Sequence, residues 1–360
     1  MIMENLNSKR TPQSAQASMP SGTEGATATK QEKRFAQWFC ILFVCFGSIV
    51  FVFKRTDLFP WLGSCNAAGY DAEHYMAYCH STRYGDYEHY AFYNATEPRA
   101  IDALKQASVL FLGNSNTQYA FSTKPISDYF EQKQVSHYVM GFGQGAQSPV
   151  AQSIIEKHQL QPQMVVANID PFFSTQTNGT FTRVLGGGDK LKTEFDRKRQ
   201  LQRWQARVCA RPGSGWHSWL CEGSAETIYR SRANGHWLTD YYRDNQQLPV
   251  SESDDLLDDL NAAEIAANAF IERANVSRRC VVLTVTPRTG TPLKFAQALA
   301  ARLQLPLVTP QLDNLVTIDH SHLDKDSAVR WSSAFIIDLD QYVDACVSTN
   351  AVVTAITSDN

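Results

Sequence analysis

The sequence lacks a surplus of positive charge. Its 33 Lys and Arg stand against 36 Asp and Glu, a net charge of −3 over 360 residues. A chain without a basic patch or stripe carries no electrostatic footprint for phosphate backbones, so nucleic acid is not an expected partner. No internal repeat is present, which argues against solenoid and propeller architectures. Large apolar side chains are almost missing from Asn5 to Gln31, a stretch of Ser, Thr, Gln, Ala and Gly. Such a segment buries too little to offset its chain entropy, so residues 1–34 are expected to be a disordered cytoplasmic tail.

Long apolar runs are also absent, with one exception. Phe35 to Phe53 is apolar apart from Gln37 and Ser48, and is bounded by Lys33 and Arg34 on one side and Lys54 and Arg55 on the other. Nineteen helical residues at ~1.5 Å each roughly match the ~30 Å hydrocarbon core of a bilayer. The leader of more than thirty polar residues is too long for a cleaved signal peptide. Residues 35–54 therefore predict one uncleaved membrane helix in the inner (cytoplasmic) membrane. The cations at Lys9, Arg10, Lys30, Lys33 and Arg34 favour a cytoplasmic N-terminus.

Two of the eight cysteines, Cys40 and Cys45, lie in this run. The other six, Cys65, Cys79, Cys209, Cys221, Cys280 and Cys346, are an even number, which suits an oxidising, periplasmic compartment. Proximity in sequence suggests Cys65–Cys79 and Cys209–Cys221, leaving Cys280–Cys346. Residues 55–106 interleave Tyr70, Tyr75, Tyr78, Tyr84, Tyr87, Tyr90 and Tyr93 with His74, His80 and His89. They read as a Tyr- and Cys-rich cap packed on the main domain, with flat faces that also suit stacking on sugar rings.

From Ala107 strands and helices alternate, the pattern of parallel βαβ units. Strands are expected at 108–112, 136–140, 164–169, 281–285 and 307–309. Helices are expected at 125–132, 149–158, 256–274, 293–303 and 325–343. The fold class is α/β: a three-layer, flavodoxin-like parallel sheet spanning 107–345, followed by a C-terminal tail at 346–360. Residues 175–260 interrupt the rhythm with a glycine turn at Gly186 to Gly188, a charged helix over 190–207, and Trp216, Trp219 and Trp237. This insertion is expected to lie over the active edge as a lid or docking surface. The cluster Arg197, Lys198, Arg199 and Arg203 reads as a solvated helix face.

The chemistry concentrates in two segments. Val109 to Leu112 reads as a buried strand that exits sharply through Gly113, Asn114, Ser115 and Asn116, placing a serine hydroxyl at the carboxyl edge of the sheet. A hydroxyl needs an imidazole to take its proton, and the imidazole needs an acceptor to fix its tautomer. Asp319 and His322, three residues apart before the last helix, supply both. His320 is the competing base, but adjacent side chains in an extended loop point apart. Asp319, His320 and His322 also offer three ligands to a metal, but no matching cluster accompanies them, so no metal or cofactor is expected.

Val109 to Gln118, Gly141 to Ser148, Met164 to Pro171 and Asp319 to Leu323 together resemble the ordered blocks of the SGNH (GDSL-like) hydrolase superfamily. The resemblance covers residues 107–345 apart from the insertion. It implies Ser115 as nucleophile, with Asp319 and His322 as its relay. It implies an oxyanion hole from the N–H groups of Ser115 and Gly145, with Gly143 the alternative, and from Asn168. Two departures stand out: Asn114 replaces the family's Asp, and the third block reads Ala167, Asn168, Ile169, Asp170, Pro171 in place of Gly-x-Asn-Asp. With its N-terminal anchor, the chain is similar to membrane-anchored members that move acetyl groups on or off envelope polysaccharides. Its expected partners are therefore that polysaccharide and a membrane protein that exports the acyl group. Transferase and esterase share the same triad. A different class, an inactive SGNH-fold scaffold binding glycan or an assembly partner, would show Ser115 and His322 apart.

Overall fold

A computed structural model of the chain describes residues 30–55, 64–81, 84–143, 147–174, 179–210, 220–239, 247–253 and 260–347. Two units divide the chain, residues 1–59 and 60–360. The first contains α1 (Lys30–Arg55), whose described side chains, Phe35, Trp38, Phe39 and Phe43 among them, are exposed. The helix begins at Lys30, inside the segment expected to be a tail; the rest of that tail lies outside the described residues. The membrane span expected over residues 35–54 falls within α1 but is not established by it, because among the described residues no helix is long and apolar enough to cross a membrane.

The second unit opens with β1 (His74–Cys79), β2 (Gly85–Asp86), α2 (Glu88–Tyr93) and α3 (Pro98–Gln106). The α/β rhythm follows in β3 (Val109–Asn114), α4 (Ser115–Phe121), α5 (Lys124–Lys133), β4 (His137–Phe142), α6 (Ser148–His158) and β5 (Met164–Asn168). The inserted region holds α7 (Gly179–Gly186), α8 (Asp189–Cys209), β6 (Thr227–Ser231), β7 (Trp237–Leu238) and β8 (Leu248–Pro249). After it come α9 (Leu260–Arg273), β9 (Val281–Thr284), α10 (Leu293–Leu303), β10 (Val316–Thr317) and α11 (Lys325–Cys346).

Four parallel strands form the central sheet in the order β4-β3-β5-β9. Both faces of β3 are buried, as its unbroken apolar run requires in a sheet covered on both sides. On one face Val109, Phe111, Val139, Val166 and Val282 pack with Phe121, Phe130, Trp331 and Phe335 from α4, α5 and α11. Helices α6, α9 and α10 pack together as a second layer. The expected fifth strand at 307–309 is reduced to one parallel bridge, Leu307 to Leu283. Pairing of β3 with β4 on one side and β5 on the other makes the carboxyl ends of β3 and β5 the switch point, where a crevice opens.

The cap and the insertion, read from sequence as separate additions, are one structure. Their strands form an antiparallel sheet in the order β2-β1-β6-β7, with His74 to Cys79 paired against Thr227 to Ser231. This sheet covers the open edge of β4. Asn234 O accepts the Val139 N–H at 2.8 Å, and the fully buried Arg230 donates Nη2 to Val139 O at 3.1 Å and to Gly141 O. Gln118 Nε2 reaches the same two carbonyls at 3.0 and 2.9 Å, so the edge strand's acceptors are satisfied without another strand.

Three disulfides, Cys65–Cys79, Cys209–Cys221 and Cys280–Cys346, follow the pairing expected from proximity and fit an oxidising compartment. The last one carries α11 through Cys346, beyond the expected end of the domain at 345; residues 348–360 lie outside the described residues. Two further expectations change. The glycines at 186–188 do not form only a turn, since α7 runs through Gly186. Lys198 is not solvated: it is buried over the Phe195 ring and paired with Glu194 at 3.2 Å.

Candidate active site

The exit from β3 is built for a tight strand-to-helix turn. Gly113 has φ +155°, and a Cβ there would run into Thr117 Oγ1. Asn114, the residue departing from the expected Asp, caps α4 by accepting the Asn116 N–H on Oδ1 at 3.0 Å. Its Nδ2 donates to Asp170 O at 2.6 Å, tying the ends of β3 and β5 together across the switch point. Neutral Asn does here what a carboxylate cannot, since it both accepts and donates. Ser115 is thereby the first residue of α4, with its hydroxyl beside the crevice.

The loop between β10 and α11 brings the base. Thr317 bridges Leu323, and the Ile318 N–H donates to His322 O at 2.9 Å, closing the loop on itself. Asp319 Oδ1 accepts the N–H groups of Ser321 at 3.0 Å and His322 at 2.8 Å. Asp319 Oδ2 lies 2.6 Å from His322 Nδ1, and His322 Nε2 lies 2.8 Å from Ser115 Oγ. Burial works to raise the Asp319 pKa, but the hydrogen bond and charge of His322 and the two backbone donors hold the carboxyl below its usual range. It is thus ionised and keeps Nδ1 protonated, leaving Nε2 as the acceptor for the serine proton. Tyr119, one turn beyond Ser115 on α4, lays its ring against His322 with centroids 4.3 Å apart. His320 is exposed at the loop tip with φ +68°, its carbonyl accepting the Thr289 N–H at 2.9 Å. Asp324 caps α11 by accepting the Ser327 N–H, which leaves Asp319 to serve the histidine.

Of the expected oxyanion donors, the described residues place the Ser115 N–H beside the crevice. The Ser115 N–H lies at the start of α4, where backbone donors have no helical acceptor. Gly145 lies outside the described residues. The alternative, Gly143, has its N–H directed to Glu88 Oε1 at 3.2 Å. Asn168 does not serve as a donor to the site. It is buried at the end of β5, its Nδ2 shared between Thr117 Oγ1 and Thr286 Oγ1 at 3.1 Å each, and its Oδ1 accepting the Thr286 N–H. An amide with both ends satisfied inside the core stays there, because turning it out would strand buried hydroxyl and amide partners.

A cavity of about 260 Å³ opens on Ser115 and His322. Its floor is the parallel sheet's edge, with Tyr119 and Gly143; its walls are Tyr78, His80, Asp86 and Glu88 from the cap and Glu226, Ile228 and Trp237 from the insertion. The sequence had marked Tyr78 in the cap and Trp237 in the insertion as parts of separate segments, but not Tyr119, Glu88 or Glu226, which stand in no motif. Glu88 is fully buried: Oε2 accepts from Arg230 Nη1 at 2.9 Å and Trp237 Nε1 at 3.2 Å. Burial pushes its carboxyl up, against the pull of Arg230.

Asp86, Glu88 and His89 bring three ligand-capable atoms within 4.8 Å of one another. The Glu88 oxygens are engaged by Arg230, Trp237 and Gly143 and one Asp86 oxygen by His89 Nδ1 at 2.9 Å, while the buried His89 Nε2 has no hydrogen-bond partner among the described residues. A dication would have to share the Glu88 carboxylate with the Arg230 guanidinium, so this cluster reads as a structural network. Comparison of the chain with family models, with curated proteins and with solved structures finds no match.

Proposed function

We propose that this chain is a membrane-anchored serine O-acyltransferase or esterase of SGNH type, adding or removing acetyl groups on polysaccharide outside the cytoplasm. The observation that carries the reading is the unbroken hydrogen-bonded line from Asp319 through His322 to Ser115 at the switch point of a parallel sheet. Ser115 Oγ attacks the ester carbonyl while His322 Nε2 takes its proton. The tetrahedral oxyanion is held by the Ser115 N–H and, as the family resemblance implies, by the Gly145 N–H; each such donor contributes ~2.7–4 kcal/mol. The ester C–O bond then breaks, and the imidazolium returns the proton to the leaving oxygen. His322 next deprotonates a sugar hydroxyl or water, which takes the acyl group and releases Ser115.

The anchor belongs to the same proposal. Helix α1 exposes Phe35, Trp38, Phe39, Leu42, Phe43 and Phe46, an apolar surface that water would not tolerate on a free helix and a bilayer would. A single-pass helix in the inner membrane would hold the disulfide-bonded unit on the periplasmic side, beside a membrane protein that exports the acyl group. The alternative of a silent scaffold draws on the inward-turned Asn168 and the Gly143 amide engaged by Glu88; the 2.8 Å contact between Ser115 and His322 weighs against it.

The test uses the full chain in detergent micelles with a chromogenic acetyl ester, with and without oligosaccharide acceptors. The expected result is turnover lost in Ser115→Ala and His322→Ala, an acetyl mass on Ser115, and faster release when an acceptor is present if the enzyme is a transferase. Absence of both turnover and acyl-serine would overturn the enzyme reading in favour of the scaffold.

A further inference from the structure

We infer that Glu226 selects the acyl acceptor, and that the acceptor is a sugar bearing a free amino group. This rests on the acyl-transfer reading of the cavity beside Ser115. Three carboxylates line that cavity, Asp86, Glu88 and Glu226, and no Lys or Arg is among its described lining residues. Two of the three are matched from within the protein. Asp86 binds His89, whose pKa is raised because the charge and hydrogen bond of Asp86 outweigh its burial, and Glu88 binds Arg230. Glu226 differs: it is half-buried, and its carboxylate has no hydrogen bond or ion pair among the described residues. Its charge is felt in the cavity, where burial together with Glu226 and Asp86 pushes the Tyr78 phenol up.

A half-buried carboxylate without a partner has lost part of its hydration and is stabilised by a cation that enters beside it. An ammonium brings charge and three donors; a neutral hydroxyl brings one donor and no charge. A uronate would bring a like charge into the same partly desolvated space, which disfavours it. The rings of Tyr78, Tyr119 and Trp237 complete the match. They offer flat apolar faces to a pyranose and favourable quadrupoles to its ammonium group.

The experiment compares three acceptors with the full chain in micelles and the chromogenic acetyl ester as donor. These are a glucosamine oligomer with free amines, the same oligomer fully N-acetylated, and an oligouronate. Wild type is expected to favour the free amine by a KM about tenfold lower than that of the N-acetylated oligomer, as one charge-assisted pair implies. The oligouronate should not accelerate release. Glu226→Gln should remove this preference through KM, bringing the amine and N-acetyl oligomers to equal values. Glu226→Asp should restore part of it, and Glu226→Lys should shift preference toward the uronate. Equal KM for amine and N-acetyl oligomers in the wild type, or an intact preference in Glu226→Gln, would overturn the inference while leaving the acyl transfer standing. Absence in the wild type of both ester turnover and acyl-serine would overturn the parent reading and this inference with it.

Discussion

Mild acid should loosen the joint between the two sheets through one histidine pair. His137 at the start of β4 and His236 just before β7 meet Nε2 to Nε2 at 3.1 Å, one ring donating and the other accepting, a bond that is lost when both rings are protonated. Burial lowers His137 from its ordinary 6.5 to about 4, and burial, then the neighbouring His137 and Arg230, hold His236 well below its ordinary value. Each folded-state value lies below its unfolded value, so the unfolded chain takes up the proton first. The contribution is present above pH 6.5 and is lost as pH falls toward the folded value. For His137 alone the loss is about 2 kcal/mol between pH 7 and pH 5, and about 3 kcal/mol by pH 4, where the folded state is half protonated. Partial solvent contact of the His137 ring trims both figures. His89 acts with the opposite slope, its raised pKa favouring the folded state at low pH, which is why the comparison must be between variants. Urea unfolding of the full chain followed by tryptophan fluorescence at pH 7 and pH 5 gives the measurement. The double variant His137→Gln/His236→Gln should lose at least 2 kcal/mol less than wild type over that interval. An identical pH dependence in variant and wild type would refute the assignment.

Two other outcomes follow from the same geometry. Asp319→Asn preserves shape but removes the charge that fixes the His322 tautomer, so turnover of the acetyl ester should fall about 10⁴-fold with unchanged unfolding; a loss under tenfold would refute the relay. Arg230→Leu leaves the buried Glu88 carboxylate without its cation and withdraws a donor from Val139 O and Gly141 O. It should cost about 3–5 kcal/mol by urea unfolding, and a cost below 1 kcal/mol would show that the pair is dispensable.

The parallel sheet was legible because its strands are short, unbroken apolar runs separated by periodic helices, a signal that needs no tertiary context. Helix α10 falls on the expected residues, 293–303, and β3, β4 and β5 within a residue or two. The pair of Asp319 and His322 was legible for a related reason: its partners are three residues apart, so local spacing carries the geometry. The antiparallel sheet was not, since β1 and β6 find each other across the length of the first three parallel strands and each is too short to show a period. Asn168 illustrates the other limit. Its position at a strand's carboxyl end is what the family pattern asks for, but whether an amide points out or in depends on Thr117 and Thr286, which no motif includes. Lys198 misled by composition: in a run of basic residues nothing in the sequence distinguishes the one that folds under an aromatic ring.

The shared sheet of cap and insertion also orders events in time. β1 leaves the synthetic machinery early, and Cys65–Cys79 closes a local loop of 14 residues, but the strand's partner β6 arrives only after β3, β4 and β5 have been made. Long-range pairing of this kind is slow relative to local closure. Until it happens, Glu88 lacks Arg230, the edge of β4 lacks its cover, and two of the cavity's walls are missing. Even then the relay is incomplete until Asp319 and His322 emerge later still. Ser115 is thus made long before His322, its hydrogen-bond partner, so the proposed acyl transfer would have to wait until the chain has closed.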